Sequence, residues 1–310
     1  MSANPLLIIL GPTASGKTRL AVAAAAEMNG EVISADSRQV FKGMDIGTGK
    51  DLQEYRLAGQ QIPFHLINIR EAGEQYNVNA FKNDFYDAYS NILQRSKFPV
   101  LCGGTGMYIH SLLQNHQYTA IPGNEELRNQ LPLQDLALLR KELAAYPAEF
   151  TAHADLSSAK RIVRAIEIAH YLQNNTFNDD IRPVLHPLVI GINAEVEQRR
   201  ERIFIRLEKR FKEGLIDEVK SLLQSGVSAD TLIFYGMEYK YVTLYLQNEL
   251  NMEELKEKLY IAIRQFSKRQ MTFFRKMEKD GVHINWLAAS PDTPAQLNLL
   301  RQLCVKKYSL

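Results

Sequence analysis

Eight residues near the amino terminus have the types and spacing to hold a chain of phosphates: Gly11, Pro12, Thr13, Ala14, Ser15, Gly16, Lys17 and Thr18. They fit the pattern G-x-x-x-x-G-K-[ST], in which a loop between a strand and a helix cradles a diphosphate or triphosphate. Such a loop turns backbone N–H groups and the positive end of a helix dipole toward one anion. Gly11 and Gly16 let the backbone approach the ligand, Lys17 supplies a point charge, and the Thr18 hydroxyl can hold Mg2+. A second candidate is Asp36, an acid at the end of the run Glu31-Val32-Ile33-Ser34-Ala35, where it could also hold magnesium. A third is the turn Gly103-Gly104-Thr105-Gly106, which closes the apolar run Phe98-Pro99-Val100-Leu101-Cys102.

These groups need elements to carry them. Leu6 to Leu10 is an unbroken apolar run and predicts a buried parallel strand. Arg19 to Met28 is alanine-rich, free of Gly and Pro, and predicts a helix, with Gly30 as its C′ residue. Further strands are expected at Glu31 to Ala35, His65 to Asn68, Pro99 to Cys102 and Pro187 to Ile192. A helix from Asn77 to Arg95 carries Phe81, Phe85, Tyr89 and Ile92 on one face. This alternation predicts an α/β fold, a parallel sheet flanked by helices, with ligands at the carboxyl ends of its strands. The phosphate loop, Asp36 and the Gly-Gly-Thr turn each follow such an end, so they should converge. Between strand two and strand three, the stretch from Asp36 to Lys50 is a loop long enough to be functional.

The middle of the chain reads differently. Helices are expected at Glu125 to Leu131, Leu133 to Ala145 and Ser157 to Gln173, with Ser157 as an N-cap, and no strand is evident. Pro122 and Pro183 bracket this portion, so residues 122–183 are expected to form an all-helical insertion in a core made of 1–121 and 184–310. The last insertion helix gathers Lys160, Arg161 and Arg164. In the final third, Glu195 to Lys212 and Leu255 to Lys279 are basic helices, the second interleaved with Phe266, Phe273 and Phe274. One charged helix face is usually only solvated, but two basic helices and a basic insertion suit a polyanion, which needs several spaced phosphate contacts.

Composition sets the outer limits. The chain has 310 residues, 45% hydrophobic and 23% charged, with a net charge of +2, which suits a globular enzyme with one large domain or two smaller ones. The first apolar run is too short for a signal peptide, and no run is long enough to cross a bilayer. Two cysteines and seven histidines show neither a disulfide framework nor metal spacing, and the expected compartment is the cytosol.

A phosphate loop alone leaves several classes open: a nucleoside or nucleotide kinase, an RNA-binding regulator with an idle nucleotide site, or an isopentenyltransferase acting on free adenine nucleotides. No N-K-x-D motif or arginine-rich lid favours the kinases. The ordered blocks G-P-T-A-S-G-K-T from Gly11, D-S-R-Q-V-F-K-G-M-D-I-G-T-G-K from Asp36, G-G-T-G-M-Y from Gly103, I-P from Ile121, K-R-I-V-R-A-I-E from Lys160 and F-S-K-R-Q-M-T-F-F-R from Phe266 resemble the tRNA dimethylallyltransferase family. Together they run from residue 11 to residue 275, and depart from the family pattern at Gly236-Met237 and Thr272-Phe273, away from the phosphate loop and Asp36.

The resemblance implies transfer of a dimethylallyl group from dimethylallyl diphosphate to N6 of the adenosine 3′-adjacent to the anticodon of a tRNA. It implies that Lys17, with magnesium on Thr18, stabilises the leaving pyrophosphate, and that Arg210 adds a second cation. Asp36 becomes the base that takes the amine proton, and Thr105 a hydrogen-bonding partner of the same adenine. Ser37, Arg38 and Gln39 are implied to reach the RNA beside the target base. Arg128, Lys160, Arg161, Ile162, Val163 and Arg164 are implied to grip the tRNA anticodon stem-loop from the insertion. The expected state is a monomer with no membrane association.

Overall fold

β1 (Pro5–Leu10) is the strand on which the larger part of the molecule is built. A computed structural model describes residues 4–114, 117–152, 154–178, 181–290 and 293–308. Next in the chain come α1 (Lys17–Glu27), β2 (Gly30–Ala35), the small hairpin β3 (Arg56–Leu57) and β4 (Gln60–Gln61), and β5 (Phe64–His65). α2 (Val78–Gln94), β6 (Phe98–Gly103) and α3 (Gly106–Leu113) follow. Four helices, α4 (Glu125–Gln130), α5 (Leu136–Ala144), α6 (Ala148–Thr151) and α7 (Ala159–Asn174), precede β7 (His186–Asn193). The chain ends with α8 (Val196–Lys212), α9 (Leu215–Gln224), α10 (Ala229–Tyr235), α11 (Met237–Leu246), α12 (Met252–Lys279), β8 (Asn285–Ala288) and α13 (Thr293–Tyr308).

The six-stranded sheet has the order β5-β2-β6-β1-β7-β8 and every pairing in it is parallel. Alternation along β1 sends Leu6, Ile8 and Leu10 to one face and Leu7 and Ile9 to the other. The first face is covered by Phe81, Phe85, Tyr89 and Ile92 of α2 with Met271, Phe274 and Met277 of α12. The second is covered by Leu20, Val22 and Ala25 of α1 with Leu300 and Cys304 of α13. Burial on both sides is why the strand reads as an unbroken apolar run. The register puts Leu10 beside Gly103 and Gly103 beside Ala35, so three neighbouring strands end level.

The chain divides into two compact units. One holds the chain up to Gln114 and from Pro183 onward; the other is residues 115–182. The second therefore begins seven residues before the expected boundary at Pro122, because the 3-10 turn Gln117–Ala120 belongs to it. Its own core is Leu139, Leu143, Ile162, Val163 and Ile166.

Four local expectations are corrected. Asn29, at φ 51°, takes the left-handed position after α1, while Gly30 opens β2, where a Cβ would stand 2.4 Å from the Phe98 carbonyl oxygen. β5 stops at His65 because Leu66 and Asn68 both turn to positive φ. α5 starts at Leu136 rather than Leu133, since the Asp135 carboxylate caps the amides of Ala137 and Leu138 at 2.9 and 3.0 Å. Ser158, without a side-chain bond, stands at the N-cap of α7, while the Ser157 amide donates to Asp155. Among the described residues no helix is long and apolar enough to cross a membrane.

Candidate active site

The phosphate loop follows β1 directly. Gly16, at φ 85°, heads α1, and the Ser15 amide donates back to the Pro12 carbonyl at 3.3 Å. Gly11 and Pro12 are buried, Thr13 and Ala14 half-buried, and the Ser15 hydroxyl is buried without a partner among the described residues. An orphaned buried hydroxyl in this loop suits a ligand that supplies acceptor oxygens. Lys17 Nζ rests 3.5 Å from the Pro12 carbonyl oxygen. Burial holds its ammonium below the ordinary lysine value, against the pull of the Asp36 carboxylate. A cation desolvated in this way has most to gain from an arriving anion. Beneath the loop, burial pushes the Cys102 thiol up to about 12, so it stays protonated and serves as packing.

Asp36 ends β2. Its Oδ1 accepts from the amides of Arg38 at 2.9 Å and Gln39 at 3.4 Å, which fixes the carboxylate against its own loop. Thr105 ends the turn after β6, and its Oγ1 accepts from the Ser37 amide at 3.1 Å instead of capping α3. That bond ties the Gly-Gly-Thr turn to the Asp36 loop and leaves the threonine hydrogen free to donate elsewhere. Gln39 bridges the Ser34 hydroxyl and the Gly49 carbonyl, both at 3.2 Å. The Arg38 guanidinium donates to the Phe234 carbonyl at 3.3 Å. Burial lowers its pKa, and the nearby Asp36 charge opposes this.

Sequence reasoning did not assign a role to Gln270. Its Oε1 accepts from the Thr13 amide at 2.8 Å and its Nε2 donates to the Gly104 carbonyl at 3.0 Å. One side chain of α12 thus clasps the phosphate loop and the Gly-Gly-Thr turn together, and Gly104 admits it because a Cβ there would meet Nε2 at 2.4 Å. The only signal was an amide inside a basic stretch. Glu218 was missed as well: its carboxylate accepts from the amides of Asp45, Ile46 and Gly47 at 2.8, 2.6 and 2.9 Å, and from the Tyr239 hydroxyl at 2.8 Å. Buried Lys50 bonds Asp45 at 2.7 Å, and with Val40, Phe41 and Met44 packed into the C-terminal helices the long loop becomes a fixed wall.

The guanidinium groups of Arg210 and Arg206 stand side by side against Gly49. Arg210 is buried and paired with Glu238 at 2.9 Å. Arg206, one turn earlier on α8, is the arginine whose charge acts on Lys17; it also bonds the Gly49 carbonyl at 3.1 Å and Asp51 at 2.7 Å. Arg206 is therefore a further candidate for that second cation beside Arg210.

The insertion residues divide sharply. Ile162 and Val163 are buried in the core of the second unit, so their side chains offer nothing to a ligand. Arg164 donates to the carbonyls of Tyr118, Ile121 and Pro122 at 3.1, 2.6 and 3.2 Å. It shares the fully buried Glu167 with Arg128, whose Nε is 2.6 Å from that carboxylate. Arg128 and Arg164 are thus bound up in the unit's own structure. Lys160 and Arg161 are exposed, the latter donating to Asp155 at 2.9 Å and to the Ser157 hydroxyl at 2.6 Å.

No group of three or more His, Cys, Asp or Glu side chains converges on a metal position among the described residues. Magnesium does not need one, because it keeps several waters and takes one or two protein oxygens beside substrate phosphates. The half-buried Thr18 hydroxyl fits that requirement, with Asp36 close enough for its charge to act on Lys17.

A parallel sheet that brings a glycine-rich loop, an acid and a hydroxyl to three level strand ends has the layout of an α/β phosphate-binding protein. Comparison with known proteins makes this specific. The family described as IPP transferase matches residues 39–277, and that described as isopentenyl transferase matches residues 4–62. A tRNA dimethylallyltransferase of Porphyromonas gingivalis is 50% identical over 284 residues, covering 92% of this chain and 94% of that relative. One of Bacteroides fragilis is 46% identical over 297 residues, covering 96% and 97%. The crystal structure of the full-length tRNA isopentenylpyrophosphate transferase of Bacillus halodurans superposes with a TM-score of 0.72 at 30% identity, over 99% of this chain and 98% of that one. The chain belongs to the tRNA dimethylallyltransferase family.

Proposed function

We propose that this protein transfers the dimethylallyl group of dimethylallyl diphosphate to N6 of the adenosine 3′-adjacent to the anticodon in tRNA and releases pyrophosphate. The observation that carries the reading is the level carboxyl edge of β1, β6 and β2, which delivers the phosphate loop, Thr105 and Asp36 to one place. The bond from the allylic carbon to the diphosphate oxygen breaks, the bond from that carbon to N6 forms, and the N6 proton passes to Asp36. An adenine amine is a poor nucleophile because its lone pair is delocalised, so a fixed carboxylate that removes the proton as the bond forms matters. Charge grows on the leaving pyrophosphate, where the loop amides and Lys17 stabilise it and Arg206 contributes from α8. Thr18 would hold magnesium, which screens the diphosphate when bound.

The target adenosine has to leave the loop stack to reach these groups, as for other enzymes that act on a base. Ser37, Arg38 and Gln39 line the approach to Asp36, and Thr105 can donate to the adenine. Lys160 and Arg161 serve as phosphate contacts of the anticodon stem-loop. The reading includes a single chain working in the cytosol. Incubation with unmodified tRNA, dimethylallyl diphosphate and magnesium, followed by nucleoside mass analysis, should yield an adenosine carrying one dimethylallyl group. Product from free adenine nucleotides but none from tRNA would overturn the reading.

A further inference from the structure

We propose that Phe234 is the stacking platform for an anticodon-loop base next to the adenosine that reacts; this rests on the tRNA reading above. A lone exposed phenylalanine on a surface needs no explanation. Phe234 is different because of how its surroundings are fixed. It lies in the last turn of α10, where Leu232 and Tyr235 are buried. The Tyr235 ring lies 4.5 Å from Phe41, and its hydroxyl accepts from the Gly73 amide at 2.5 Å and donates to the Glu74 carbonyl at 2.8 Å. These contacts pin the helix end and leave the Phe234 ring 73% exposed.

The same turn holds Arg38. Its guanidinium carbon is 5.7 Å from the centroids of both Phe234 and Tyr235 and its Nη2 donates to the Phe234 carbonyl, while its amide donates to Asp36 Oδ1. A single residue therefore connects the exposed ring to the proposed base. Extruding an adenosine strips its neighbour in the loop of a stacking partner. A ring held at the rim of the site, with a cation close behind it, replaces that partner without demanding a particular base, because every base has a π face. Phe204, also exposed, instead pairs edge-on with Tyr260.

The test separates stacking from apolar bulk. Phe234→Ala and Phe234→Leu should each raise the KM for tRNA about tenfold, with kcat and the KM for dimethylallyl diphosphate within about twofold of the parent. Phe234→Tyr and Phe234→Trp should restore the KM, and melting temperatures should not move, since the ring is outside the core. Trp286 is the only tryptophan, so Phe234→Trp combined with Trp286→Phe gives a single indole whose fluorescence an unmodified anticodon stem-loop should quench. As a reading from the RNA side, 2-aminopurine beside the target adenosine should change its emission with the parent protein and not with Phe234→Leu. An unchanged tRNA KM in Phe234→Ala, or an indole untouched by saturating stem-loop, overturns the proposal. Quenching by a stem-loop that the parent protein never prenylates would sink the tRNA-transfer reading and leave the platform standing.

Discussion

The strand ends of the sheet and the last helix of the insertion both concentrate polar side chains, yet they use them in opposite ways. At the sheet edge, the Ser15 hydroxyl has no partner among the described residues and the Lys17 ammonium is desolvated, so these groups are suited to an incoming anion. On α7 one of the three clustered cations is already spent: Arg164 closes three carbonyls and, with Arg128 of α4, neutralises buried Glu167. A run of Lys and Arg in a sequence therefore counts charges without saying how many face outward. Unsatisfied groups mark a binding site better than numerous ones.

The largest effect should come from the sheet edge. Asp36→Asn keeps an oxygen for the amides of Arg38 and Gln39 but cannot take a proton, so transfer should fall about a hundred- to ten-thousand-fold, with tRNA affinity within a few-fold. Single-turnover rates and filter binding measure the two; near-normal turnover would remove Asp36 from the base role. Next is Glu167→Ala, which leaves Arg128 and Arg164 without their shared carboxylate and should destabilise the second unit by about 3 kcal/mol. Hydrogen exchange within residues 115–182 should rise while pyrophosphate binding stays unchanged; slow exchange there would show that the pair is dispensable.

Gln270→Ala removes the clasp on Thr13 and Gly104 and should weaken pyrophosphate about tenfold in competition binding, a loss the sheet edge would feel without any change of charge. The smallest effect contrasts two neighbours on α7. Arg161→Ala should reduce the salt slope of tRNA binding by about one unit and leave the melting temperature alone. Arg164→Ala should do the reverse, lowering the stability of the second unit by about 1–3 kcal/mol with no change of slope. If both variants move the slope equally, the division drawn above is wrong.

How much of this was legible depended on the range of the interaction involved. The phosphate loop, β1 and α1 are set by adjacent residues, and Asp36 and Thr105 follow from the rule that ligands gather at carboxyl ends of parallel strands. Gln270 was not legible because its partner Thr13 lies 257 residues away, and no local pattern shows that an amide on a long helix will meet a loop amide. Arg206 and Arg210 stand one turn apart on the same face of α8, so spacing could not show that only Arg210 is buried against Glu238. Arg161 and Arg164 differ for a similar reason, since only packing reveals which one meets Glu167 and the carbonyls before α4.

The order of synthesis adds a consequence. β1 lies between β6 and β7, and β7 appears only after the whole insertion has been made. At about 5–20 residues per second, a nascent chain carries β1 with one edge unpaired for roughly 10 to 40 s on the ribosome. The loop that β1 launches waits longer, because Gln270 follows still later. Ribosome-stalled chains of increasing length should bind pyrophosphate more tightly once residue 270 has cleared the exit tunnel. A premature stop shortly before that position would leave the full G-x-x-x-x-G-K-[ST] signature in the message and no amide to clasp it.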